Sequence, residues 1–317
     1  MKKVKVGIVG LGRQGLRHLS TLSRFEDVEV VAVCDINENS LRNILGVYRI
    51  SSHYTDYKEM AEKQGFDCVF VVTKPDETHT EITSTFLEEG NHVYCEKPMA
   101  TKLSAAKNVV KQSSKYGRIL MVGYNRRFMP IFVRAKQEFE SPNEIDVCKS
   151  AMCGEKTIFR GLNSNYVHLV DILRWLCGEP RKVQAVSRYE DPNYETTIAA
   201  LIEFKSDAIG IHLCNSTGGG YIEKVTIFGK NKTVEVDTPS LTFKNLRSGG
   251  YNPSISDLLT VGSWRDFSYK FGFEQADRHF IDCVKNDRLP LTSGEDSLKT
   301  LSLVDTIYAK CGLPPLT

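Results

Sequence analysis

Residues 6–15 read VGIVGLGRQG, and the fold turns on them. Val4, Val6, Ile8 and Val9 form a short apolar run of the kind that fills a strand buried on both faces. Gly10, Gly12 and Gly15 follow at G-x-G-x-x-G spacing, with Arg13 and Gln14 before the last glycine. Leu16, Leu19 and Leu22 then recur at helical intervals. Strand, glycine turn and helix start, in that order, suit a dinucleotide pyrophosphate. The first glycine permits a tight turn, the second lets the backbone approach the phosphates, and the third lets helix and strand pack closely. Free N–H groups at the helix start face the anion. The next apolar run, VEVVAVCD, ends in Asp35, twenty residues after Gly15. A carboxylate there bonds the ribose hydroxyls of NAD and repels the extra phosphate of NADP. Arg13 in the loop softens that preference, so NAD is the expected cofactor, with NADP admitted.

The chain's 317 residues suit two domains or one large one. Hydrophobic residues make up 41% and charged residues 25%, enough for a proper core under a charged surface. A net charge of +2 offers no electrostatic reason to bind nucleic acid or an acidic membrane. The opening MKK runs straight into a strand without a signal-peptide core, and every apolar run is too short to span a bilayer. The nine cysteines are odd in number and contain no C-x-x-C, which reads as a reduced, cytoplasmic protein. No Cys or His pair has ligand spacing, so no metal is expected.

Further along, strands and helices alternate. A helix is expected over 40–45, and another capped by Asp56 and running to Lys63. The strand FDCVFVVT ends at Thr73, Lys74-Pro75 breaks it, and Asp76 or Thr78 starts a helix to Glu88 that Gly90 stops. HVYCEKP, a helix over 103–115 and the strand ILMVGY complete the series. This spacing predicts an α/β chain whose first domain, residues 1–122, is a doubly wound parallel sheet. Residues 123–317 form the second domain, with a helix from Pro130 to about Phe139, a strand near 145–152 and a helix over 165–177. Five successive strands between Arg181 and Phe243 predict one large open, mostly antiparallel sheet, and two helices near 267–285 and 294–310 close the chain.

In doubly wound sheets ligands bind beyond the carboxyl ends of the strands. Gly10, Gly12, Arg13, Gln14, Gly15, Asp35, Thr73, Lys74, Pro75, His79, Glu96 and Lys97 are placed there as cofactor-binding candidates. Lys97 follows a buried strand, so its amine reaches a substrate lying over the nicotinamide. On the helix over 165–177, Tyr166, Leu169, Val170, Leu173, Leu176 and Cys177 form one face. Ser164, His168, Asp171 and Trp175 fall roughly opposite, so His168 is expected at a cleft rather than in the core. Asp171 is expected to pair with Arg174 or another nearby base rather than to orient His168.

The glycine motif, TKPDETH, EKP at 96–98, GYNRRF at 123–128 and HLVDILRWL at 168–176 resemble the Gfo/Idh/MocA oxidoreductases. The resemblance implies a Rossmann domain followed by an α/β domain whose open sheet makes homodimer or homotetramer contacts. It implies catalytic roles for Lys97, the lysine of EKP, and His168, often the proton acceptor, with Pro98 after a cis bond; the residues leave open whether His168 or Lys97 is the base. It places Tyr124, Asn125, Arg127, Ser164 and Asn165 at the substrate. Ser164 stands where many sugar and cyclitol dehydrogenases of this kind carry an aspartate, and EKTIFRGLNSN lacks the usual glycine-rich pattern, which sets the chain apart from inositol as substrate. The expected reaction is reversible oxidation of a secondary alcohol on a sugar, cyclitol or sugar derivative. The rival expectations are a sugar- or NAD-sensing regulator without turnover, and an NAD-dependent glycoside hydrolase on the same fold.

Overall fold

The structure is a computed structural model that describes residues 3–63, 65–154, 158–247, 254–257 and 266–316. The chain divides into two compact units, Met1–Tyr124 with Phe273–Lys299, and Asn125–Gly272 with Thr300–Thr317. A single cut after residue 122 was the expectation; the chain instead crosses between units after 124, 272 and 299. No local pattern marks the return of residues 273–299.

The first unit holds six parallel strands, β1 (Val4–Val9), β2 (Val28–Cys34), β3 (Ser52–Tyr54), β4 (Cys68–Val71), β5 (His92–Cys95) and β6 (Leu120–Val122). Their order in the sheet is β3-β2-β1-β4-β5-β6. The strand order reverses between β1 and β4, which opens a crevice at their carboxyl ends. The helices between are α1 (Arg13–Leu22), α2 (Glu38–Leu45), α3 (Tyr57–Glu62), α4 (Thr78–Glu88) and α5 (Leu103–Tyr116). Local chemistry sets their starts. The Asn37 and Asp56 side chains accept the N–H groups of Asn39 and Lys58, as N-caps do. Every residue of β4 is buried, as the unbroken apolar run requires. Edge strand β3, three residues long, was too short to register as a pattern.

In the second unit an eight-stranded sheet is ordered β14-β13-β12-β11-β7-β10-β9-β8. These strands are β7 (Ile145–Cys153), β8 (Pro180–Asp191), β9 (Tyr194–Phe204), β10 (Ile209–Asn215), β11 (Ile222–Gly229), β12 (Lys232–Asp237), β13 (Thr242–Arg247) and β14 (Ser254–Asp257). All neighbours are antiparallel except β7 and β10. α6 (Pro130–Gln137) and α7 (Val167–Cys177) pack on the sheet. Val186, Leu201, Ile209, Ile211 and Phe228 stand exposed on its strands, with Leu201 paired directly to Ile211. The helix expected over 267–285 is two helices, α8 (Phe267–Lys270) and α9 (Phe273–Asn286). Gly272 separates them at φ +77°, where a Cβ would lie 2.3 Å from the Asn125 carbonyl. The last helix is α10 (Gly294–Lys310). Among the described residues no helix is long and apolar enough to cross a membrane.

Candidate active site

The glycine turn has the shape its sequence demands. Gly10 takes φ +98°, and a Cβ there would lie 2.6 Å from the Val72 carbonyl. A Cβ on Gly15 would meet the Gly10 carbonyl oxygen at 1.9 Å, so helix and turn pack as only glycine allows. At Gly12 a Cβ would have nothing within 4 Å. Gly12 is exposed and N-caps α1 without a side-chain hydrogen bond, leaving the helix start open to an anion. Asp35 anchors the turn. Its Oδ2 accepts the Leu11 N–H at 2.6 Å and its Oδ1 the Asn37 N–H at 2.8 Å. The open face at Gly12 and the oriented carboxylate fit an NAD pyrophosphate and ribose. Arg13 is exposed beside them, and Gln14 accepts a hydrogen bond from Arg17.

Two strand-end loops of the same unit carry cis peptides, Lys74–Pro75 after β4 and Lys97–Pro98 after β5. His79 ties the loops together. Its Nδ1 lies 2.8 Å from the Pro98 carbonyl and its Nε2 2.9 Å from the Thr73 carbonyl. With 1% exposure and both ring nitrogens facing backbone, His79 shapes the cofactor crevice through these loops. The Thr73 hydroxyl bonds that of Thr78, and Lys74, exposed, pairs with Asp76. Lys97 is half-buried, and its N–H donates to the Glu96 carboxylate at 3.0 Å.

Behind Lys97 lies a group that the sequence reading missed. His18 on α1 is fully buried between two carboxylates: Nδ1 is 2.8 Å from Asp277 on α9, and Nε2 is 3.5 Å from Glu96. Phe70, Tyr94 and Phe273 surround the ring. Burial alone would depress the imidazole, but the charges and hydrogen bonds of Asp277 and Glu96 outweigh it and push the pKa up to about 9. Burial likewise opposes ionisation of Glu96, yet His18, followed by Lys97 and His79, holds that carboxyl below its ordinary value. A signal was present: His18 shares a helical face with Gly15 and Leu22, and Asp277 one with Phe273 and Phe280, so both are polar residues on apolar stripes.

In the second unit a π-helical turn, Leu162–Tyr166, runs directly into α7. Such turns cluster at functional sites. Here the turn carries Ser164 and Asn165, both half-buried, while Glu155, Lys156 and Thr157 of the preceding stretch lie outside the described residues. Glu195, buried on β9, accepts the Leu162 N–H and the Tyr308 hydroxyl, each at 2.7 Å, which pins the start of the turn. α7 is buried nearly all round, with Trp175 half-buried, so the expected division into a core face and an open face does not describe it. His168 is 4% exposed.

Asp171 does pair with a base, and that base is Arg127. The guanidinium donates to it twice, at 2.7 and 2.5 Å, and the Thr300 hydroxyl adds a third bond at 2.7 Å. Arg127, named above as a substrate residue, is therefore tied into a buried bidentate ion pair. Arg174 pairs instead with Glu179 and Thr300. Asn125 donates to the Phe271 carbonyl at 2.8 Å, and Arg126 makes a bidentate pair with Glu223. In the first unit Tyr124 is buried at 2% exposure.

All nine cysteines are free thiols, none fully exposed. Burial pushes Cys34 and Cys95 up to about 12, which leaves both inert as nucleophiles at neutral pH. Among the described residues no group of three or more His, Cys, Asp or Glu side chains could hold a metal ion.

Residues 4–124 match the model of an oxidoreductase family with an NAD-binding Rossmann fold, and residues 161–312 that of its C-terminal α/β domain. The chain is 24% identical to the myo-inositol 2-dehydrogenase of Thermotoga maritima across 95% of this chain and 94% of that protein. It is 28% identical to an inositol 2-dehydrogenase/D-chiro-inositol 3-dehydrogenase of Lactiplantibacillus plantarum, across 90% and 85%. The crystal structure of a dehydrogenase from Clostridium difficile superposes with a TM-score of 0.87 at 27% identity, covering 97% of this chain and 99% of that one.

Proposed function

The chain belongs to the Gfo/Idh/MocA family of NAD-binding oxidoreductases, and we propose that it is a dehydrogenase acting on a secondary alcohol of a sugar, cyclitol or sugar derivative, with Lys97 and His168 as its catalytic residues. The observation that carries this reading lies in the first unit. A dinucleotide cradle, with Gly12 open and Asp35 oriented, stands at the strand ends where Lys97 is held by its neighbour's carboxylate. The relatives named as inositol dehydrogenases support the alcohol class.

Gly10, Gly12, Gly15 and Asp35 hold the cofactor, Arg13 and Gln14 flank its phosphates, and the loops of Thr73, Lys74 and Pro75 line its crevice. Bound NAD supplies the hydride acceptor. His168 accepts the hydroxyl proton, which an imidazole does well near neutral pH. The Lys97 ammonium stabilises the developing alkoxide, the charge that most needs a fixed partner in the transition state. Ser164 and Asn165, on the π turn, bond substrate hydroxyls. Ser164 contributes a neutral hydroxyl there, which can bond a substrate but cannot hold a negative charge. Met1–Tyr124 with Phe273–Lys299 serves as the cofactor domain, and Asn125–Gly272 with Thr300–Thr317 as the substrate domain. The exposed apolar face of the eight-stranded sheet suits a homodimer or homotetramer contact, checked by light scattering on the purified protein.

The test is NADH formation from NAD with a panel of sugars, cyclitols and nucleotide sugars. Lys97→Ala should lower turnover by about a hundredfold or more while NAD still binds. Normal turnover in Lys97→Ala would remove the assignment. Tight NAD binding with no turnover on any panel member would favour a sensing role.

A further inference from the structure

We propose that His18 is a positioning residue for Lys97, acting through Glu96. This rests on the catalytic reading of Lys97, but the coupling itself does not need turnover to be seen. The chain of contacts is continuous within one unit. Asp277 bonds His18 Nδ1 at 2.8 Å, and His18 Nε2 faces Glu96 Oε1 at 3.5 Å. The other oxygen, Glu96 Oε2, accepts the Lys97 N–H at 3.0 Å. Glu96 therefore has one oxygen toward the buried cation and one on the peptide that carries the amine. On the far side of Lys97, His79 holds the Pro98 carbonyl at 2.8 Å. Gly123 leaves room for the carboxylate, since a Cβ there would lie 3.2 Å from Glu96 Cδ.

The geometry makes Glu96 depend on His18. Around the pair sit Phe70 on β4 and Phe273 and Phe280 on α9, buried rings that offer a carboxylate no donor, and Tyr94 on β5, whose hydroxyl is the donor a displaced Glu96 could turn to. The Tyr94 hydroxyl has no hydrogen-bond partner, and burial holds its pKa far above the ordinary value. The charged and titratable groups near the pair are Asp277 and Glu274 on α9, Lys97 after β5, His79 on α4 and Arg17 on α1. Asp277 is the direct partner of His18, and it touches neither Glu96 nor Lys97 in any hydrogen bond. A buried carboxylate that loses its cation takes up a proton or turns toward another donor. Either change releases the Lys97 N–H and lets the amine drift from its place. α1 supplies both His18 and the helix start at the cofactor phosphates, so the same helix that receives the dinucleotide fixes the lysine loop.

The experiment follows two NMR signals in the apo-protein: the His18 ring carbon and the backbone amide of Lys97, each titrated with pH. Both should move with one midpoint, near 9 in the wild type. Asp277→Asn should lower both midpoints together by about one unit or more. A Lys97 amide that stays flat while His18 titrates would overturn the proposal. So would an Asp277→Asn variant in which the two midpoints separate. Should Asp277→Asn fail to fold, the wild-type pair of titrations still decides, because coincidence or divergence of the midpoints is read there directly. With the best panel substrate, His18→Gln should reduce kcat by about tenfold or more with KM for NAD nearly unchanged. Lys97→Ala separates the two readings: if it keeps turnover, the catalytic role falls while the His18–Lys97 coupling stands. If it loses turnover but the amide is insensitive to His18, the coupling falls alone.

Discussion

Gly12→Ala should separate cofactor binding from folding more cleanly than any other single change in this chain. Gly12 has φ −66° and ψ −173°, values that alanine adopts without strain. Its Cβ would find nothing within 4 Å, so no protein atom needs to move. The unfolded chain loses some freedom, and the apo-protein should be unchanged or gain up to about 1 kcal/mol. NAD binding should suffer, because the methyl stands where phosphate oxygens approach the start of α1. Loss of one charge-assisted hydrogen bond costs about 1.5–3 kcal/mol, or roughly 10- to 150-fold in dissociation constant. Gly15→Ala is the contrast. Its Cβ would lie 1.9 Å from the Gly10 carbonyl oxygen, a backbone atom that cannot swing aside. Both stability and binding should fall, the former by about 1–3 kcal/mol or more. Thermal unfolding of the apo-proteins and NADH fluorescence titrations measure the two quantities. The reasoning is refuted if Gly12→Ala binds NAD within about twofold of wild type, or if it destabilises the apo-protein as much as Gly15→Ala does.

Asp35→Ser should weaken NAD by about tenfold while NADP is unchanged or tighter, since the repelling carboxylate is gone; comparing the two dissociation constants checks it. Asp171→Asn breaks a buried bidentate pair with Arg127 and should cost about 3–5 kcal/mol, seen as a clear drop in Tm; an unchanged Tm would contradict the structure. His18 titrates at about 9 in the fold against 6.5 free. Its contribution to stability is therefore whole below pH 6.5 and is lost as pH rises through about 9. Denaturant unfolding from pH 6 to 10 should show wild type losing stability that His18→Gln never had.

Much of the fold was legible because its signals are local. The glycine spacing, the apolar run of β4 and the cap at Asp56 each act within a few residues. The eight-stranded sheet was legible as a series of strands, although the parallel pairing of β7 with β10 was not. That contact joins segments with a helix and two strands between them, and no alternation pattern carries it. The site divides along the same line. Asp35 and the turn glycines were readable, because motif spacing fixes them. The His18–Asp277 pair joins positions 259 residues apart, and each partner alone looks like one polar residue on an apolar stripe. Arg127 shows the converse. It lies in a segment that resembles a substrate loop, yet its charge is spent on Asp171, a partner that only tertiary packing reveals. Periodicity separated the polar and apolar sides of α7 but could not show that the polar side, with His168, Asp171 and Arg174, is buried as well.

The return of residues 273–299 to the first unit bears on how the protein is made. A ribosome releasing the chain from its amino end delivers all six parallel strands long before Asp277 emerges. Until then His18 has one carboxylate partner instead of two, and the surface of α1 meant for α9 stays bare. Neither unit can be excised as a single run of sequence, and a stop codon before α9 would cripple the nucleotide-binding half as surely as the other.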